Sequence, residues 1–272
     1  MAQADPRDPS KGRRTIVVSD AHGHVELIQN ALDHACFNPG EDFLVYGGDV
    51  VDGGAGPSGA RRCLELLRTM RAQILWGNHD VAAMLDYHID GQDWDTRPSF
   101  TASFVDEFLS RDPDAWRLAV CVQGVVIAHA GVSRDYQQDL AETVDGSGRP
   151  DPYALVDALN AEFVAAAQRQ RETGRRDRDA RAFARRSPHR FRPLGHDMGP
   201  DWVVSGLLQI AGHSPYERYR GGRWRRPEME AAGLYLIDPD YHVRAGSDGF
   251  RYAVIQGGRV RVFEETRPCP RG

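Results

Sequence analysis

The short apolar runs in this chain end repeatedly on the same kinds of residue. Thr15-Ile16-Val17-Val18-Ser19 runs into Asp20-Ala21-His22. Phe43-Leu44-Val45-Tyr46 runs into Gly47-Gly48-Asp49, and Gln73-Ile74-Leu75-Trp76 into Gly77-Asn78-His79-Asp80. Runs this short and this rich in β-branched and aromatic residues read as buried strands. Between them lie stretches with helical spacing, the first through Val25, Ile28, Leu32 and Ala35, the second from about Ala60 to Met70. Strand, loop and helix in alternation require a layered α/β sheet, and such sheets bind ligands outside the carboxyl ends of their strands. Three motifs far apart in sequence are thereby expected at one rim.

The middle of the chain reads as more helical, over Val81–Ile89, Ala102–Leu109 and Tyr153–Arg171. Val120 to Ala128 reads as two strands around Gly124, ending on His129-Ala130-Gly131. Thr173–Arg192 is dense in arginine with interspersed aspartate, and is expected to be a mobile or partly helical insertion. The last third is strand-rich: Val203–Ala211 leads to Gly212-His213, then come Gly233–Ile237, Phe250–Ile255 and Val260–Glu264, the last two joined by a Gln256-Gly257-Gly258-Arg259 turn. The resulting division is a disordered tail over residues 1–13 and one domain over 14–272, with a helical, Arg-rich insertion at about 150–192.

The residues at the strand ends are those a two-metal hydrolytic site needs, hard oxygen donors with imidazoles. Asp20 and His22, two apart, can point the same way. Asp49 can bridge two ions through its two oxygens, Asn78 offers an amide oxygen, and His129 and His213 offer ring nitrogens. One ion is then expected on Asp20, His22 and Asp49, and the other on Asp49, Asn78, His129 and His213. Two such ions, roughly 3.5–4 Å apart, activate a bridging hydroxide for in-line attack on a phosphate ester. His79 adjoins a ligand without being one and is expected to act as the general acid, with Asp52 accepting its other ring N–H. Taken singly, each residue has an ordinary role: Asp20 as a helix cap, Asp49 and Asp52 as turn acids, Asn78 as a turn residue, His129 and His213 as core histidines. Their order and common placement at strand ends favour the metal site.

Composition narrows the remaining classes. The hydrophobic fraction is 41% and the formal net charge −5, which argues against bulk binding to nucleic acid or to a membrane surface. No run of about 18 apolar residues marks a membrane helix. The polar N-terminus does not read as a signal peptide, so a cytoplasmic location is expected. Cys36, Cys63, Cys121 and Cys269 form no C-x-x-C pair, and the first three read as small core residues.

The motifs D-A-H at 20–22, G-D-V-V-D at 48–52, G-N-H-D at 77–80, H-A-G at 129–131 and G-H at 212–213 resemble those of the calcineurin-like metallophosphoesterase superfamily. The nearest likeness is to its phosphoprotein-phosphatase-like branch, which includes bacterial Ser/Thr protein phosphatases and symmetrical diadenosine tetraphosphatases. Leu118–Val132 and Gly199-Pro200-Asp201-Trp202 look like that branch too. The resemblance implies a four-layer α/β (α+β) fold, a central β-sandwich flanked by helices, and two divalent ions, manganese first, with iron, zinc or nickel as alternatives. One departure concerns substrate. The branch usually places a phosphate-gripping arginine where this chain has Gly53, and Val203 and Val204 follow Trp202 where a second arginine is common. Arg61, Arg62 or an arginine of the 175–192 segment are the candidates to replace it.

The expected function is therefore a metal-dependent phosphatase acting on a phosphate monoester, in a phosphoprotein or a small phosphorylated metabolite. The alternatives are a dinucleoside polyphosphate hydrolase or phosphodiesterase, and, from another class, a catalytically silent metal-binding scaffold.

Overall fold

In the computed structural model the described residues are 5–51, 55–85, 116–134, 143–146, 148–173, 201, 203–213, 226–239 and 250–265. Among these residues ten strands form two sheets. The larger contains β1 (Thr15–Val18), β2 (Phe43–Tyr46), β3 (Gln73–Leu75), β4 (Trp116–Arg117), β9 (Phe250–Gln256) and β10 (Arg259–Glu265), in the order β10-β9-β1-β2-β3-β4. The smaller contains β5 (Ala119–Val122), β6 (Val125–Ala128), β7 (Leu208–Ala211) and β8 (Leu234–Leu236), in that order. β1 to β4 run parallel, as do β6 to β8. Parallel neighbours end at the same edge, so the loops after β1, β2 and β3 share one rim, and those after β6 and β7 share another.

Alternation along each strand sorts the side chains into layers. Val17, Val45 and Leu75 meet Val120, Val122, Val125, Ile127 and Ile210 between the sheets. Their neighbours Ile16, Val18, Leu44, Tyr46 and Ile74 face the helical side. There α1 (Val25–His34) buries Val25, Ile28, Ala31 and Leu32, and α2 (Gly56–Thr69) buries Ala60, Cys63, Leu64 and Leu67. Both sets recur at intervals of three and four residues, the spacing of an amphipathic helix. α3 (Asn78–Leu85) follows β3 directly. α4 (Pro152–Thr173) lies against β5, where Asn160 Oδ1 accepts from Leu118 N at 2.8 Å and Asn160 Nδ2 donates to Ala119 O at 2.9 Å. α5 (Arg226–Ala231) packs beside β8, with Met229 against Ala211, Leu234 and Leu236.

The expected strands and helices are present where the residues are described, with three shifts of note: the strand expected over Val203–Ala211 is confined to Leu208–Ala211, with a turn before it, and two helices begin early. α2 begins at Gly56 rather than near Ala60, because Pro57 is at home in a first helical turn. Asn78, His79 and Asp80 form the first turn of α3 instead of a loop before it. The helix expected at Ala102–Leu109 and the segment 174–200 lie outside the described residues. Among the described residues no helix is long and apolar enough to cross a membrane.

Two expectations need correction. Cys36 is exposed, not a core residue; it follows the last turn of α1 with φ +48°. Residues 5–13, expected to be a disordered tail, are held against the sandwich by polar contacts that composition conceals. Asp8 and Ser10 are buried. Asp8 Oδ1 accepts from Ser10 N at 2.9 Å and Ser10 Oγ at 2.7 Å, and Asp8 Oδ2 accepts from Gln123 N at 3.3 Å. Gln123 Nε2 in turn donates to Arg13 O at 2.7 Å. Asp8→Ala strands these donors, so it is expected to lower stability by about 1–3 kcal/mol, read as an earlier urea midpoint. A tail detached from the domain would give no shift.

Candidate metal centre

The backbone ladder continues beyond the ends of β1 and β2. Gly47 N donates to Val18 O at 2.7 Å, Asp20 N to Gly48 O at 3.0 Å and His22 N to Asp49 O at 3.1 Å. Eight non-glycine residues among those described have positive φ, and four of them are Asp20 (+54°), His22 (+46°), Asp49 (+57°) and His213 (+61°). L-residues seldom hold this region without support, and half of the cases fall on residues singled out as ligands.

These bends converge the side chains. Asp49 Oδ2 lies 3.2 Å from His129 Nε2 and 3.7 Å from both His22 Nε2 and His79 Nε2. Asn78 Oδ1 lies 2.9 Å from His129 Nε2 and 2.6 Å from His213 Nδ1, and the two ring nitrogens are 3.0 Å apart. Two groups of possible donors thus share Asp49: His22 with His79, and His129 with His213. Asp20 is placed differently. Its two oxygens accept from His213 N at 2.9 and 3.0 Å, so its carboxylate joins the β1 loop to the β7 loop. Asp52 lies outside the described residues, as does Gly53. Arg62 Nη2 faces Glu26 Oε1 at 3.8 Å, both side chains more than half exposed, and Arg61 is exposed on the same helix. A pair so open to solvent contributes about 0–1 kcal/mol and says nothing of phosphate binding.

The donor set fits divalent cations. His129 Nδ1 lies 2.9 Å from Gly47 O, which can only accept, so Nδ1 carries the proton and neutral His129 turns a lone pair from Nε2 toward Asp49 and Asn78. Lone pairs crowded at about 3 Å repel unless positive charge lies among them. Without a metal, protons answer that demand. Burial works to lower the His129 pKa, yet the Asp49 and Asp20 carboxylates raise it to about 10. Burial presses the Asp49 carboxyl upward, but His129, His79 and His22 hold it well below the usual carboxylate range. Asp20 is pushed well above that range by burial and by the neighbouring Asp238.

Asp80 and Tyr46, to which motif spacing alone assigns no role, both support the site. Asp80 is fully buried. Its Oδ2 accepts from Asp49 N at 2.8 Å and Gly77 N at 3.0 Å, and its Oδ1 from Val50 N and Val51 N at 3.0 Å each. One carboxylate thus ties the loop after β2 to the turn after β3. Burial, then the Asp49 charge, raises its pKa to about 6 against the pull of those N–H groups. The signal in the sequence was its place as the fourth residue of Gly77-Asn78-His79-Asp80. Gly77 must be glycine for space: a Cβ there would lie 2.0 Å from Asp49 Oδ1. At Gly48 (φ +102°) a Cβ would lie 2.7 Å from His129 Nδ1.

Two predictions follow from this geometry. In Asp80→Asn an amide NH₂ replaces an acceptor oxygen and confronts N–H donors; divalent-ion affinity, measured by titration calorimetry, is expected to fall about 10–100-fold. The second concerns pH. A pKa raised in the folded protein gives stabilisation that is full below the unfolded value and lost as pH climbs through the folded one. For His129 that window runs from its ordinary 6.5 to about 10. The metal-free protein should therefore lose thermal stability across that range. Saturating divalent ion should flatten the loss, since the cation supplies the charge that the proton otherwise brings.

The sequence matches the calcineurin-like phosphoesterase family over residues 13–247. Serine/threonine-protein phosphatase 1 of Salmonella typhimurium is 35% identical over 94 residues, a match that covers 31% of this chain and 42% of that protein. Among solved structures, a cold-active protein-tyrosine phosphatase from a psychrophilic Shewanella species aligns over 97% of this chain and 82% of its own, with TM-score 0.59 at 15% identity. A protein provisionally described as a diadenosine tetraphosphatase aligns over 94% of this chain and 95% of its own, with TM-score 0.50 at 18% identity. These structural likenesses bear on the fold, which they share. On the strength of the family match, the chain belongs to the calcineurin-like phosphoesterase family.

Proposed function

We propose that this protein is a two-metal phosphatase that hydrolyses a phosphate monoester, in a phosphoprotein or a small phosphorylated metabolite. The carrying observation is the position of Asp49 Oδ2, which faces His129 at 3.2 Å on one side and His22 and His79 at 3.7 Å on the other. A carboxylate flanked in this way suits a shared ligand. In this reading Asp20, His22 and Asp49 hold one ion and Asp49, Asn78, His129 and His213 hold the other, with manganese expected first and iron, zinc or nickel as alternatives. Two such ions supply Lewis-acid charge, which lowers the pKa of a shared water for in-line attack and neutralises the phosphoryl oxygens. The Salmonella relative, named a serine/threonine-protein phosphatase, supports a monoester over a dinucleoside polyphosphate.

His79 is proposed as the general acid, holding a proton for the departing alkoxide. Its ring stands edge-on to His22 with centroids 4.7 Å apart, and its backbone N donates to Asp49 Oδ1 at 2.9 Å. Both contacts restrict where the ring can point. Asp52 is proposed to orient it. The same nearness to Asp49 Oδ2 would suit a metal ligand, and one variant separates the two roles. His79→Ala should retain both ions and lose about 10²–10⁴-fold in rate on an alkyl phosphate, with a much smaller loss on p-nitrophenyl phosphate, whose leaving group needs no proton. Loss of an ion would make His79 a ligand instead.

The function itself is tested by stripping the protein of metal and restoring Mn, Fe(II), Zn, Ni and Mg separately, each with p-nitrophenyl phosphate and its bis ester. Monoester turnover restored by metal is expected. Turnover of the diester alone would replace the proposal with a phosphodiesterase, and bound metal without turnover of any phosphorylated substrate would favour the silent scaffold.

A further inference from the structure

The last residue of β2 is a tyrosine whose hydroxyl is spent on two backbone groups of the metal loops. Tyr46 is wholly buried, and its ring belongs to the helix-side core with Ile16, Val18 and Leu44. Its hydroxyl accepts from Ala21 N at 2.9 Å and donates to Asp49 O at 3.2 Å. Ala21 is the residue between Asp20 and His22, and Asp49 is the acid both donor groups share. One hydroxyl therefore joins the peptide that carries both β1-loop residues to the main chain of the shared carboxylate. A phenylalanine would fill the same space and make neither bond.

We propose that Tyr46 is a positioning residue that sets the separation between the β1-loop ligands and Asp49, and through it the spacing of the two ions; the proposal rests on the two-ion reading above. Asp20, His22 and Asp49 all stand in the left-handed region, at φ +54°, +46° and +57°. Such conformations persist only where surrounding bonds over-determine them. His22 N to Asp49 O and Asp20 N to Gly48 O are two of those bonds, and both run directly between the loops. The Tyr46 hydroxyl adds a third tie anchored in the rigid core, so that the loops are fixed relative to the sheet as well as to each other. Without it, Ala21 N loses its partner in a dry environment, and the β1 loop can shift relative to Asp49 by rotation about its strained dihedrals.

The test compares Tyr46→Phe with Tyr252→Phe. Tyr252 is also buried, and its hydroxyl lies 2.8 Å from His34 Nδ1, away from the metal loops. Both variants lose one buried hydroxyl, so thermal melts of the metal-free proteins should show similar modest falls. Manganese binding should separate them. With wild-type protein and with Tyr252→Phe, two equivalents of Mn(II) are expected to give the electron paramagnetic resonance signal of a spin-coupled pair. With Tyr46→Phe the coupled signal should be lost or altered, and the weaker ion should bind about 10–100-fold less tightly. An unchanged coupled signal and unchanged affinities in Tyr46→Phe would overturn the proposal. So would equal losses in both variants, which would mean general destabilisation. If wild-type protein binds a single ion, the two-ion reading fails, and Tyr46 is judged on that ion's affinity alone: an effect confined to Tyr46→Phe sustains it as a positioning residue, and no effect removes it.

Discussion

Four backbone N–H groups point at one buried carboxylate, and the candidate metal centre depends on that arrangement. Asp80 receives Asp49 N, Val50 N and Val51 N from the loop after β2 and Gly77 N from the turn after β3. Backbone donors in a dry interior must be satisfied, and a single acid that satisfies four at once removes most conformations open to the two loops. The acid is held beside a second one, Asp49, so the same contact concentrates negative charge. The loops are therefore rigid and electrostatically unfinished, which is the condition in which a cation binds tightly.

The polar cluster above Asp80 follows from that condition. Asn78, His129 and His213 bring donor atoms to within about 3 Å of one another, and Asp49 lies 3.2 Å from His129, an arrangement that needs a proton or a metal between them. Burial removes water as an alternative, since His129 and Asp49 are nearly inaccessible. The left-handed backbone at four of the candidate ligands has the same origin. The loops turn sharply because parallel strands end in register and their side chains must return over the rim to meet. Backbone N–H bonds accepted by Tyr46, Asp20 and Asp80 hold those turns.

Legibility of the site in the sequence varied with distance along the chain. Short motifs were readable because donor identity and strand-end position are local properties. The fold brings Asn78, His129 and His213 together near Asp49 and sets His22 beside Asp49. The arrangement around Asp20 and His79 was less legible. Asp20 turns its oxygens to His213 N, and His79 Nε2 comes as near to Asp49 Oδ2 as His22 does. The first depends on how the β1 and β7 loops meet and the second on how the β2 and β3 loops meet, which no residue in one loop encodes alone. The same holds for Asp8: an acid in a polar N-terminal stretch gives no sign that Gln123, far along the chain, will claim it.

By itself the sequence determined the layered architecture, the strand ends on which the chemistry gathers and the oxygen and nitrogen donors available there. These follow from side-chain period and residue type, which act over a few residues. Tertiary structure alone decided which acids face the histidine cluster and which serve the backbone. Asp20, Asp49 and Asp80 are the same residue in three settings: one takes an N–H from the β7 loop, one faces four imidazoles, one gathers four main-chain donors. Their differing pKa directions arise from burial and from neighbours supplied by other strands. Charge interactions of this kind depend on distance and solvent access, and both are fixed only when the sheets close on each other.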